Sequence, residues 1–185
     1  MLMSSVIKVL PLRSSRAHEA CGPAAVSFAA IIAGQMQGSV LWISERWRQE
    51  QVHPEGLAIF CDPSKLVFAS GTDQTEVLAA SEEALRSGAV SAVISTLSKP
   101  LDLRQGRRLQ LAAETGQSTG LFLIPEGMGS NAAETRWRSN PVYDAQDSTL
   151  MRWDLIKNKS GTLKSWLVRW DAEAHRVSVV HEDGK

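Results

Sequence analysis

An α/β fold, a parallel sheet wound with helices and extended by antiparallel C-terminal strands, is predicted by three features of the 185-residue sequence. Short apolar, β-branched runs alternate with helical stretches between residues 22 and 125. The helical stretches open on proline or capping residues and are followed by glycines. After Pro125 the pattern changes to apolar residues separated by charges around Asn158-Lys159-Ser160-Gly161, a hairpin signature.

Pro23–Ala33 is apolar nearly all round, opens on a proline suited to a first helical turn and is followed by Gly34, which predicts a buried helix. Ser39–Ser44 (SVLWIS) is a compact apolar run, predicted as a strand buried on both faces, and Lys65–Ser70 (KLVFAS) repeats the signal. Asp73–Ser87 is a predicted helix with Asp73 and Glu76 at capping-box spacing and Gly88 as its stop. Ala89–Thr96 (AVSAVIST) predicts a strand. Asp102–Thr115 predicts a helix, with Asp102 and Gln105 as the capping box and Gly116 as the stop. Thr119–Pro125 (TGLFLIP) is the next strand, and Glu126–Ala133 (EGMGSNAA) reads as a flexible loop. Thr149–Lys157 and Leu163–Trp170 form the hairpin, with His175–Val180 a candidate third strand. The chain thus divides into an N-terminal extension (1–14), an α/β core (15–125), and a loop with hairpin strands extending the same domain (126–185).

Lys plus Arg number 20 and Asp plus Glu number 20, so no global field is built for a phosphate backbone, although a local basic patch fits. Hydrophobic residues at 43% and charged residues at 22% exclude an intrinsically disordered chain. Cys21 and Cys61 lie in apolar surroundings without CxxC spacing, which implies reduced thiols and a cytoplasmic protein. The run Val6–Leu12, broken by Lys8, is too short for a signal-peptide core, and no stretch approaches the roughly 20 apolar residues of a membrane span. Four of the six Trp (Trp137, Trp153, Trp166, Trp170) fall in the last fifty residues.

A phosphate-binding loop needs a glycine-rich turn between strand and helix that ends in Lys-Ser/Thr. The segment in that place, Glu19–Val26, has the single glycine Gly22 followed by Pro23, and apolar Ala25 and Val26 stand where cation and hydroxyl would be. The strand ending in Ser95, Thr96 and Leu97 lacks the metal-binding carboxylate that such a loop faces. Glu45 stands where a water-activating carboxylate would sit, or is an exposed charge at a strand end. His18, His53, His175 and His181 show no metal-ligand spacing, and His18-Glu19 reads as a surface pair. No metal and no cofactor are expected.

Cations and indoles supply the remaining candidates. Arg104, Arg107 and Arg108 stand at i, i+3, i+4, as a solvated helix face or a partner site. Arg136-Trp137-Arg138, and Arg152-Trp153 with Lys157 and Lys159, interleave charge with aromatic surface, as single-stranded DNA or a protein hot spot requires. Packing of the indoles onto the sheet is the other reading; it is preferred for Trp166 and Trp170 and open for Arg136-Trp137-Arg138.

The runs CDPSKLVFAS (61–70) and EEALRSGAV (82–90) resemble the middle of the RecA-type recombinase core. With LDLRQGRRLQLAAETG (101–116), ETRWRSNP (134–141) and RWDLIKNKSG (152–161), the chain is similar, diffusely over residues 15–172, to the ImuA family of RecA-like accessory proteins in bacterial SOS mutagenesis. The resemblance implies a RecA-like fold and a non-catalytic role in error-prone translesion synthesis. It also implies as partners an inactive Y-family polymerase homologue (ImuB) and an error-prone replicative-type polymerase, with RecA and single-stranded DNA as further candidates. Under it, Gly22 matches the start of the recombinase phosphate loop, Thr96 the metal-coordinating Asp, and Glu45 the catalytic glutamate. The SulA cell-division inhibitors resemble the same stripped core and imply a division GTPase as partner instead, but typically lack the basic hairpin.

Overall fold

The computed structural model describes residues 12–184. Residues 6–11 of the N-terminal apolar run, and most of the 1–14 extension, lie outside them. The described part of that extension belongs to the core: Leu12 is buried, and the Arg13 carbonyl accepts from His18.

The elements run β1 (Ala17–Cys21), α1 (Ala25–Gln35), β2 (Val40–Glu45), α2 (Pro54–Leu57), β3 (Leu66–Gly71), α3 (Gln74–Ser87), β4 (Ala92–Thr96), α4 (Leu103–Gly116), β5 (Thr119–Leu123), β6 (Thr135–Pro141), β7 (Leu150–Asn158), β8 (Lys164–Asp171) and β9 (Arg176–Gly184). The nine strands form one sheet in the order β3-β2-β4-β5-β1-β6-β7-β8-β9. β3 through β6 in that order are parallel, and β7, β8 and β9 add antiparallel. The expected α/β class, a mixed sheet flanked by helices with antiparallel C-terminal strands, is the one observed.

Helices cover both faces of the sheet. Phe28, Ile31 and Ile32 of α1 pack with Trp42, Trp137, Trp153 and Trp170 on one face. Leu78 and Leu85 of α3 and Leu109 and Ala113 of α4 pack with Val93 and Phe122 on the other. Since β-strand side chains alternate, each central strand feeds both cores.

Local chemistry sets most boundaries where the sequence placed them. Asp102 accepts from the Gln105 amide (2.7 Å) and Gln105 returns a bond to the Asp102 amide (3.0 Å), completing a capping box. Asp73 accepts from the Glu76 amide, but the Glu76 carboxylate reaches back one residue further, to the Thr72 amide. Two glycines expected as helix stops serve packing instead. α1 runs through Gly34 to Gln35, and a Cβ at Gly34 would press on the Phe60 carbonyl. α4 ends at Gln117 in the left-handed region (φ 52°), while a Cβ on Gly116 would run into the Leu85 carbonyl where α3 and α4 meet.

Two strands depart from expectation. β3 is an edge strand rather than one buried on both faces, leaving Val67 and Phe68 exposed. β6 lies where no strand was predicted, between β1 and β7, burying Thr135, Trp137 and Ser139.

His18, on β1, is fully buried. The Arg13 carbonyl can only accept, so His18 Nε2 carries the proton (2.8 Å) and Nδ1 accepts from the Thr135 hydroxyl (2.7 Å). Thr135 Oγ1 accepts in turn from the Trp137 indole (2.9 Å). Burial holds the His18 imidazole down at about 4 against an ordinary 6.5, with the Arg13 bond opposing. The unfolded chain therefore protonates first on acidification. Stability is full above the unfolded value and falls as pH drops through the folded one, by about 3 kcal/mol in all. Urea melts across this window should show a His18→Gln variant losing that slope. A slope equal to the wild type's would assign it to other groups.

Candidate interaction site

The C-terminal ends of β1, β2 and β4 form the edge at which open α/β sheets place ligands. From β1 the chain crosses to β2 on one side, while from β5 it crosses to β6 on the other. The turn between β1 and α1 is closed by the protein's own backbone. The Ser139 carbonyl of β6 accepts from the Ala24 amide (3.0 Å), and the Gly22 carbonyl from the Ala25 amide (3.1 Å). Pro23 has no amide to offer. Gly22 adopts φ 95°, and a Cβ there would lie 2.5 Å from the Ser139 oxygen. Two loop amides that a phosphate would need are thus committed to carbonyls, beside apolar Ala25 and Val26.

Glu45 is buried, not an exposed strand-end charge: Oε2 accepts from the Ser98 amide (3.1 Å) and Oε1 from the Trp47 indole (3.3 Å). It ties the end of β2 to the turn after β4. Thr96 Oγ1 accepts from the buried Trp42 indole (3.3 Å). Cys21 and Cys61 are buried and unbridged, and burial pushes both thiols up. Among the described residues no group of His, Cys, Asp or Glu is placed to hold a metal ion, and no helix is long and apolar enough to cross a membrane.

The indole of the Arg136-Trp137-Arg138 motif belongs to the core. Trp137 is 2% exposed, stacked between Phe28 (5.7 Å) and Trp166 (5.5 Å), and so offers no face to DNA or a partner. Trp153 is buried edge-on to Phe28 (4.9 Å). Trp166 and Trp170 pack the added strands as preferred; Trp170 also donates to the Ile59 carbonyl (3.0 Å). Alternation in β6 sends Arg136 and Arg138 to the opposite face from Trp137. Arg138 Nε stands 2.7 Å from Glu126, near enough for an ion pair but off line for a hydrogen bond.

Arg136 forms a buried pair with Glu19, which does not pair with His18 because neighbours on a strand face opposite ways. Glu19 Oε2 accepts from Arg136 Nε (2.8 Å) and Oε1 from the Ser130 amide (2.8 Å), while Arg136 also donates to the Ser130 carbonyl (3.0 Å). Burial raises the Glu19 carboxyl, and the Ser130 amide and Arg136 oppose that rise. Lys157 donates to the Ala133 carbonyl and Lys159 to the Ala132 carbonyl. The segment expected to be a flexible loop is therefore clamped from Ser130 to Ala133.

The predicted cations that remain at the surface gather partly on α4. Arg104, Arg107 and Arg108 are all exposed but fan out: Arg108 pairs with Glu82 on α3 (2.6 Å), and Arg107 faces the other flank. There Arg107 and Lys159 line a groove of about 510 Å³ with Leu103, Gln110 and Leu111. Arg152 stands apart, paired with Asp183 (3.1 Å). Leu103, Arg107 and Leu111 recur at i, i+4, i+8, a stripe on the side of α4 away from buried Leu109 and Ala113. That second apolar stripe was the available signal for Leu103 and Leu111. Compared with protein-family models and with curated proteins, the chain matches none.

Proposed function

We propose that this chain is a non-catalytic, RecA-like accessory protein of SOS-induced, error-prone translesion synthesis, acting through protein contacts with the mutagenic polymerase complex. The pathway comes from the resemblance to the ImuA family. The observation that carries the non-catalytic half is the β1–α1 turn, whose amides take the Ser139 and Gly22 carbonyls at the place a nucleotide phosphate would occupy. The strand order around β1 and the antiparallel addition at β7–β9 support a recombinase-type core bearing an added hairpin.

The α4 groove is the favoured partner surface in this reading. It joins helix and hairpin cations, Arg107 and Lys159, to exposed Leu103 and Leu111, a combination suited to an apolar, acidic partner segment. A Leu111→Asp/Arg107→Glu double variant changes only exposed side chains and should fold normally. It is expected to reduce pull-down of the Y-family partner about tenfold and to lower damage-induced mutation without altering cell division. Filamentous cells on overexpression would overturn the assignment in favour of division inhibition. Micromolar ATP affinity by calorimetry would overturn the non-catalytic half.

A further inference from the structure

The tripeptide Arg-Trp-Arg occurs twice in this sequence, at 46–48 and at 136–138. The copy that sequence reasoning favoured is the buried one. The other follows β2 at the C-terminal edge of the sheet, where Trp47 is 62% exposed. Beside it opens a cleft of about 380 Å³, within the range of small-ligand and anchor-residue pockets. Its apolar wall is Val26 at the start of α1 with Val52, Leu57 and Phe60; Arg48, Glu50 and His53 stand on the polar side.

Arg48 is the unusual member. Its Nε is shut off from solvent with no hydrogen-bond partner among the described residues. Its ion-pair partner, Glu50, sits 3.8 Å away on a side chain that is 93% exposed, a weak and competed pairing. The Arg48 side chain as a whole is 22% exposed, so a carboxylate entering the cleft can pair with the terminal nitrogens of its guanidinium and displace Glu50. Exposed Val26 lines the cleft, and Trp47 lines a neighbouring depression that shares Arg48 and Glu50 with it; Trp and Arg are among the residues most enriched at binding hot spots. Single-stranded nucleic acid fits poorly here, because among the described residues Arg48 is the one permanent cation lining the cleft and its neighbouring depression, and a single cation gives a phosphate backbone no track to follow.

We propose that the cleft beside Trp47 docks a segment of a partner protein in which an apolar side chain stands next to a carboxylate. The apolar group occupies the Val26–Leu57–Phe60 wall and the carboxylate takes the Arg48 guanidinium. The inference deepens the partner-contact reading but uses a different surface from the α4 groove, so the two can fail separately.

Selection of short random peptides displayed on phage against the purified full chain supplies the probe. Enriched peptides are expected to carry Asp or Glu within two positions of Leu, Ile or Phe. The best of them, synthesised and followed by fluorescence anisotropy, should lose about tenfold in affinity with Arg48→Ala. Val26→Glu should weaken binding at least as much while folding normally, since an acidic residue in the first turn suits the helix dipole. Val26→Lys, of similar bulk and opposite charge, removes the same apolar contact without repelling the carboxylate and should lose clearly less. No enrichment, enriched peptides without that pairing, or equal losses for Val26→Glu and Val26→Lys would each overturn the proposal. Tight oligothymidylate binding lost in Arg48→Ala would reassign the cleft to nucleic acid.

Discussion

Replacing Trp137 by alanine is expected to lower the free energy of unfolding by about 3–5 kcal/mol, the range for emptying a buried aromatic site. Replacing Trp47 by alanine should cost about 1 kcal/mol, a surface change plus one hydrogen bond. The two indoles sit in identical Arg-Trp-Arg tripeptides, so the contrast isolates position from composition. Trp137 is held by Phe28 on one side and Trp166 on the other, and its N–H continues the Thr135–His18 chain. Its loss opens a cavity that α1 cannot fill, because Phe28 is already packed against Trp153. Among the described residues Trp47 has only Glu45 as a side-chain hydrogen-bond partner. Urea denaturation monitored by circular dichroism measures both. Equal losses would refute the division into a core copy and a surface copy.

The same pair shows what could be read from residues alone. Local rules located α3 and α4, because Asp73, Asp102 and Gln105 act within one helical turn and need no partner from elsewhere. They also located β2 and β4, whose apolar runs exceed what a loop tolerates. They could not place β3 at an edge: KLVFAS and SVLWIS are alike, and only the order of strands decides which has neighbours on both sides. β6 was legible in principle, since Thr135, Trp137 and Ser139 alternate with Arg136, Asn140 and Arg138, but a tryptophan between two arginines equally suits an exposed contact. What decided it was the β1 edge, which needs a strand there to satisfy its backbone. The Glu19–Arg136 pair joins residues 117 apart in sequence, and no local pattern announces it. The same holds for the Ser139 carbonyl that closes the β1–α1 turn.

Arg136→Ala is expected to cost about 3–5 kcal/mol, because it strands the Glu19 carboxylate in the interior. The Glu19 side chain is 1% exposed and would keep only the Ser130 amide as donor. Burial already raises this carboxyl, and removing the guanidinium that opposes the rise moves it further up. A carboxyl raised above its unfolded value lends stability below that value and loses it as pH rises through the folded one. The deficit of Arg136→Ala should therefore be fullest above the variant's raised folded value and shrink on acidification, as measured against wild type in parallel urea melts. Adding Glu19→Gln removes the stranded charge, so the double variant should recover part of the loss and keep a pH-independent remainder. Because Arg136 also holds the Ser130 carbonyl, amide exchange at Ser130 and its neighbours should accelerate in both variants. A deficit that ignores pH and is untouched by Glu19→Gln would mean that Arg136 acts through packing alone, and that the charge on Glu19 does not hold the loop.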